Sequence, residues 1–305
     1  MFELRKIGIL KRASALLLDA ILLMVLATGF MFIISLICKF EKHTDLYSEH
    51  IDKFNDDYNA FKDEYAKDVC EHYGFIYEEK EVTEGDEVKK SFTVKTKEGE
   101  EASFDKDVIK KFVDDDGEYD SSNPDYERMT AAYESYKALS DPLSKANYHY
   151  QLIIRFLFLM VSFGFLLSYT VLEFVIPIIF KNGQTIGKKV FGIALVKPNC
   201  VKITNLSLFA RTFLGKYAIE TMFPVLLIFM LIFGGMGMLA IILFAALTIL
   251  NIVLFCVTKN KTPIHDMLAG TVAVDIKLQM IFESEEELSQ KKSLSVKEEA
   301  EKAKW

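Results

Sequence analysis

Several things are missing from this 305-residue chain, and each absence excludes a class of function. The four cysteines are scattered: Cys38 and Cys256 at the ends of apolar tracts, Cys200 in a basic loop, and Cys70 alone in a long polar stretch, which therefore folds without an internal disulfide. His43, His50, His72 and His149 have no ligand partners at zinc spacing. The acidic run Asp114-Asp115-Asp116, with Glu118 and Asp120, lacks the alternating oxygens and distal glutamate of a calcium loop and reads as a solvated turn. No nucleophile stands at a fixed spacing from a base. The chain is therefore expected not to be an enzyme and to hold no metal and no cofactor. A net charge of −7 also lacks the basic footprint of a nucleic-acid binder.

What is present is apolar length. Tracts run from Ala13 to Ile37, from Leu152 to Phe180 and from Ile219 to Val257. The first holds about 25 residues, enough to cross a hydrocarbon core of roughly 30 Å at about 1.5 Å per residue. It is longer than the apolar core of a cleaved leader, and Ile37 spoils Ser35-Leu36-Ile37-Cys38 as a lipidation site, so the helix is expected to be retained. Its one charge is Asp19, which costs about 2.5 to 3.5 kcal/mol in that setting unless compensated. Arg5, Arg12 and Asp19 are spaced by sevens and share a helix stripe. Spacing argues against a direct Arg12 contact, and Arg211 is the expected partner.

The last tract is about 39 residues long, nearly two crossings, and Gly234-Gly235-Met236-Gly237 near its middle predicts a tight turn between two helices. The expectation is an all-α membrane protein with about four transmembrane helices. Between the first two tracts lies an insert whose charge, counted from Lys39 to Tyr150, is 16 Lys and Arg against 30 Asp and Glu, a net of −14. The flank Arg5, Lys6, Lys11, Arg12 and the stretch Lys181 to Lys216, with seven basic residues and no acidic one, belong on the cytoplasmic side. Both termini are then cytoplasmic and the insert lies outside, so Cys70 is the cysteine open to an impermeant thiol reagent.

Within the insert, apolar residues from Thr44 to Tyr73 recur mainly at fours and predict a helix, Phe75 to Lys97 reads as a small hairpin, and Asn123-Pro124 starts a second helix. The second tract carries Tyr169, Glu173 and Pro177. A proline removes the hydrogen bond to the carbonyl four residues earlier, which here is that of Glu173. Gly183 to Lys188 imitates a phosphate loop, but its glycines are one residue too close and Lys189 stands where Ser or Thr is required. The segment Lys181 to Val196 is read as interfacial, with its lysines toward anionic headgroups. Leu206 to Glu220 reads as an amphipathic lead-in carrying Arg211. Thr248 and Asn251 share a face, His265 and Asp266 follow a proline turn, and nothing functional is read in the charged tail from Phe282.

These residues together resemble the RDD family of bacterial multi-pass membrane proteins, named for one arginine and two aspartates. Arg12 and Asp19 match its first helix, and Tyr169 and Glu173 match the polar end of its second. Gly183-Gln184-Thr185-x-Gly187-Lys188, with Gly192, looks like its glycine-rich signature. Arg211 fits its later arginine, and His265-Asp266-x-Leu-Ala-Gly270-Thr271 its closing motif. The likeness covers roughly residues 5 to 38 and 152 to 276. The insert departs from the family's short loop, and His265 stands where glycine is common.

The expected division is 1–38 as cytoplasmic N-terminus and first helix, 39–150 as acidic extracytoplasmic insert with a small β element, 151–276 as the rest of the membrane domain, and 277–305 as a cytoplasmic tail. Two functions compete. The costly groups Arg12, Asp19, Glu173, Arg211 and Asp266 suit a proton or cation relay in the cell membrane. They equally suit a lock between helices in a scaffold whose insert binds an extracytoplasmic protein, alone or as a homo-oligomer. No residue names a substrate.

Overall fold

The computed structural model describes residues 7–84, 87–102, 104, 108, 126–233, 237–257 and 262–302, and the chain divides into two compact units, Met1–Cys38 with Phe156–Trp305, and Lys39–Arg155. The acidic run at 114–120, the Asn123-Pro124 helix start, the turn residues 234–236, and Arg5, Lys6, Lys259 and Lys261 lie outside the described residues, as do the side chains of Asn251 and Cys256.

The first unit begins with α1 (Ile9–Ile37), which has no proline and ends where Lys39 takes a left-handed backbone, φ 51°. Helix α5 (Ser140–Tyr169) continues through a π-helical segment, π2 (Thr170–Val175), into α6 (Ile176–Phe180). A loop carries the short helix α7 (Ile186–Val190) and strand β4 (Ile193–Val196). Next come α8 (Asn205–Phe209), the long π-helix π3 (Ala210–Met222) and α9 (Phe223–Phe233), continuous with one another. Helix α10 (Gly237–Val257) packs on α9. Finally α11 (Ile264–Leu268) and β5 (Val272–Asp275) precede α12 (Glu285–Lys302). β4 and β5 pair antiparallel from Ile193↔Asp275 to Val196↔Val272.

Among the described residues, three segments are long and apolar enough to cross a membrane: Ile9–Ile37, Thr130–Phe180 and Asn205–Phe233. In α10 the apolar part, Ile241–Leu254, is shorter. The third segment starts well before Ile219, so Arg211 does not lie on a lead-in helix. It belongs to the long helix itself, in its π-wound portion. Close packing of helices in this unit is visible at Gly164, where a side chain would run into Met31 and come within 3.2 Å of the Ala27 carbonyl. The tail is tied down as well. Phe282 accepts from Lys202 N at 2.9 Å, donates its N–H to Cys200 O at 3.0 Å, and packs with Cys200, Val201 and Leu288.

The second unit contains α2 (Phe40–Phe61), π1 (Lys62–Ala66) and α3 (Lys67–His72), wound as one rod. An antiparallel hairpin follows, β1 (Ile76–Glu84) on β2 (Glu87–Lys95), with β3 (Glu101–Ala102) at the edge of β2, and then α4 (Tyr126–Ala138). Phe61, Val69, Cys70, Val94, Ala132 and Leu139 form its core. Cys70 is thus fully buried, and burial first, with Glu71 adding, pushes its thiol up to about 12. The topology made it reachable by a thiol reagent, but packing closes it off. Histidines distant in sequence also meet here: the Nδ1 atoms of His43 and His149 lie 3.1 Å apart, and His50 stacks on His149.

Candidate functional site

The site grows from Asp19, about a third of the way along α1. Its Oδ1 accepts the N–H of Gly187 at 2.7 Å, and its Oδ2 accepts the hydroxyl of Thr185. Thr185 is the N-cap of α7 and accepts the Lys188 N–H at 3.3 Å, while Lys188 Nζ lies 3.8 Å from Asp19 Oδ2. The partner of Asp19 is therefore a helix N-terminus with a lysine, and not Arg211. A helix start carries unpaired N–H groups and partial positive charge, so it serves a carboxylate as a cation does. Gly187 has to be small here, because a Cβ would run into the Ala15 carbonyl and sit 2.8 Å from Asp19 Oδ1.

Arg211 is fully buried between two other carboxylates. Its Nε donates to Asp266 Oδ1 at 2.7 Å and its Nη1 to Glu173 Oε2 at 3.2 Å. Lys216 holds the other oxygen of Glu173, and Lys188 Nζ lies 3.9 Å from Glu173 Oε2. The Glu173 carbonyl freed by Pro177 accepts the Thr212 hydroxyl at 2.9 Å. Asp266 also accepts from Thr271 Oγ1 at 2.9 Å. Arg12 Nη2 donates to Ala273 O at 3.1 Å, on β5.

Two residues absent from the sequence reading, Lys216 and Glu220, complete the cluster. Glu220 accepts the ring N–H of His265 at 2.8 Å and the His265 backbone N–H at 3.3 Å. With 3.6 residues per turn, Lys216 and Glu220 point roughly 140° and 180° away from Arg211. The i→i+5 bonding of π3, roughly 4.4 residues per turn, brings all three to one side. The only signal in the sequence was a charge period near 4.5. Gly215 on the same segment lets α11 approach, since a Cβ there would stand 2.5 Å from His265 Cβ.

With π3 recognised, the unit contains a repeat. Arg12 and Asp19 are two α-turns apart on α1, and Arg211 and Glu220 are two π-turns apart on π3. Each acid accepts the N–H of the second residue of a five-residue helix, Gly187 in α7 or His265 in α11. Each short helix is followed by a left-handed glycine, Gly192 at φ 61° or Gly270 at φ 60°, and then by one strand of the β4–β5 pair. The second half places Asp266 where the first has Lys188.

A cavity of about 260 Å³ lies among these groups. Arg12, Asp19, Glu173, Lys188, Arg211 and Asp266 line it, joined by Lys216, Glu220, His265 and Tyr169. The other motif residues stand behind the wall. Gly183, at φ 61°, packs on Ile203 and Leu195, and buried Gln184 donates to Ile193 O at 2.8 Å. Thr185, Gly187, Gly270 and Thr271 shape the two short helices. Burial lowers Lys188 to about 8, against the opposing pull of Glu173. Burial likewise holds His265 below the usual histidine range, with Asp266 opposing and Arg211 assisting. For Asp266 burial acts upward, yet Arg211 and His265 hold it well below the usual carboxylate range. Among the described residues no group of three or more His, Cys, Asp or Glu could hold a metal ion.

Apolar helices of spanning length around a charged cavity define a multi-pass membrane protein. Residues 142–270 match the model of the RDD family, whose members are membrane proteins. The match includes Glu173, Lys188, Arg211 and Asp266 and stops short of α1, so geometry alone joins Arg12 and Asp19 to the same cavity. Neither a search of curated proteins nor one of solved structures returned a match.

Proposed function

We propose that this chain is a non-enzymatic membrane scaffold, with residues 39–150 as an extracytoplasmic interaction module and α10 as a fourth crossing. In this reading both termini and the loop from Lys181 to Lys216 are cytoplasmic, as their basic charge favours. The observation that carries it is the pairing of Asp19, Glu173, Glu220 and Asp266, each with a group on another element. Carboxylates fixed in this way hold helices together, and breaking one such buried pair costs about 3 to 5 kcal/mol. Deleting Glu41 to Tyr148 should remove binding of an extracytoplasmic protein while the membrane domain stays folded and gives no ion flux in liposomes.

Cation or proton transport is the second reading, and two observations favour it. Lys188 lies between Asp19 and Glu173, at 3.8 and 3.9 Å, on the wall of the cavity. Repeated halves around a polar site are also a transporter feature. If it holds, liposomes containing the protein dissipate an imposed pH or Na⁺ gradient, and Asp19→Asn and Glu173→Gln abolish this while remaining folded. No flux from the folded wild type rejects transport, and flux lost in both variants rejects the scaffold.

A further inference from the structure

The cavity is not charged throughout. Along α1 its lining interleaves the charged Arg12 and Asp19 with the apolar Leu16, Ala20 and Leu23, all on one helix face. Arg12 to Leu23 covers about 16 Å of axis at 1.5 Å per residue. Leu16 is 69% exposed and Ala20 is exposed too, so this wall reaches the surface of a helix whose outward side chains are apolar. A soluble ion has no use for such a wall, whereas an amphiphile with a charged head and an apolar chain does.

The charged groups specify the head. Four cations, Arg12, Lys188, Arg211 and Lys216, face four carboxylates, Asp19, Glu173, Glu220 and Asp266, and burial favours the neutral form of His265, so the charges of the lining are matched in number. A ligand with net charge would enter uncompensated, while a dipolar one would not. Hydrogen-bonding capacity remains on both signs. Among the described residues the Lys188 ammonium, with three donors, makes one hydrogen bond, to Thr185 Oγ1 at 3.2 Å, and the Lys216 ammonium makes one, to Glu173. Among the described residues the Glu220 carboxylate accepts only from His265, which leaves lone pairs for a second donor.

We infer that the cavity binds the headgroup of a zwitterionic aminophospholipid. The phosphate is held by Lys188 and Lys216, the primary ammonium by Glu220, and an acyl chain lies along Leu16, Ala20 and Leu23. Free phosphoethanolamine shares the head chemistry but cannot use the apolar wall.

The test is native mass spectrometry of the purified full-length protein in detergent, titrated with phosphatidylethanolamine, phosphatidylcholine and phosphatidylglycerol of identical acyl chains. Phosphatidylethanolamine should bind about tenfold more tightly than either of the others, because choline has no N–H for Glu220 and the glycerol head has no cation. Glu220→Gln should lower that preference to the phosphatidylcholine level. Ala20→Trp fills the apolar wall at an exposed position without touching a charge, so it tests the site even if the first variant misfolds, and it should weaken phosphatidylethanolamine binding about tenfold. Equal affinity for the three lipids, undiminished binding in Ala20→Trp, or competition by free phosphoethanolamine at the affinity of the lipid would each overturn the assignment.

Discussion

Asp19 Oδ1 and the N–H of Gly187 meet at 2.7 Å, so the anion site at the start of α7 is filled by the chain's own carboxylate. The loop that resembles a phosphate cradle in sequence thus offers this N–H to a carboxylate of its own chain.

The contact predicts a matched pair of stability effects. Gly187→Ala forces a methyl group against the Ala15 carbonyl and should destabilise by about 1 to 3 kcal/mol. Asp19→Asn loses a charge-assisted acceptor and should lower stability by about 1 to 3 kcal/mol. Thermal unfolding in detergent reads both, and an Asp19→Asn protein as stable as wild type would refute the contact.

Arg211 should couple to Asp266 and not to Asp19. In double-mutant cycles, Arg211→Gln with Asp266→Asn should deviate from additivity by about 1 to 3 kcal/mol, whereas Arg211→Gln with Asp19→Asn should add. Coupling of Arg211 to Asp19 as strong as to Asp266 would contradict the geometry.

Stability should rise with pH in two windows. Folded His265 binds its proton below the ordinary 6.5, so the unfolded chain holds more protons in between, and stability falls as pH drops through and below 6.5. Lys188 follows the same sign: folded near 8 against an ordinary 10.5, it makes stability rise from about pH 8 to about 10.5. The difference in Tm between wild type and His265→Gln should therefore shift against wild type on acidification. That between wild type and Lys188→Met should shift in favour of wild type in alkali. Parallel pH profiles for wild type and variant would contradict the sign.

Cys70 gives a reading on the second unit. An impermeant thiol reagent should leave it unlabelled in the native protein and label it once denaturant opens the core of Phe61, Val69 and Val94. Rapid native labelling would show that this core is loose.

The insert helices, the hairpin and the carbonyl released by Pro177 were legible in the sequence, because each follows from local rules: apolar spacing, turn residues and a missing N–H. The partner of Asp19 was not legible, since a helix N-terminus carries no charged letter. Lys216 and Glu220 were hidden for a different reason. A reader using 3.6 residues per turn scatters them around the helix, and only the wider winding of π3 gathers them with Arg211.

That winding also changes how the third long helix fits a bilayer. A π-turn takes up more residues for each turn of backbone, so a residue count overstates the distance Asn205–Phe233 covers. Deleting one residue between Ala210 and Met222 shifts the facing of the residues on either side of it and should turn part of the charge cluster away from the cavity. Here thickness matching and site assembly are set by the same 13 residues, and the chain cannot adjust one without disturbing the other.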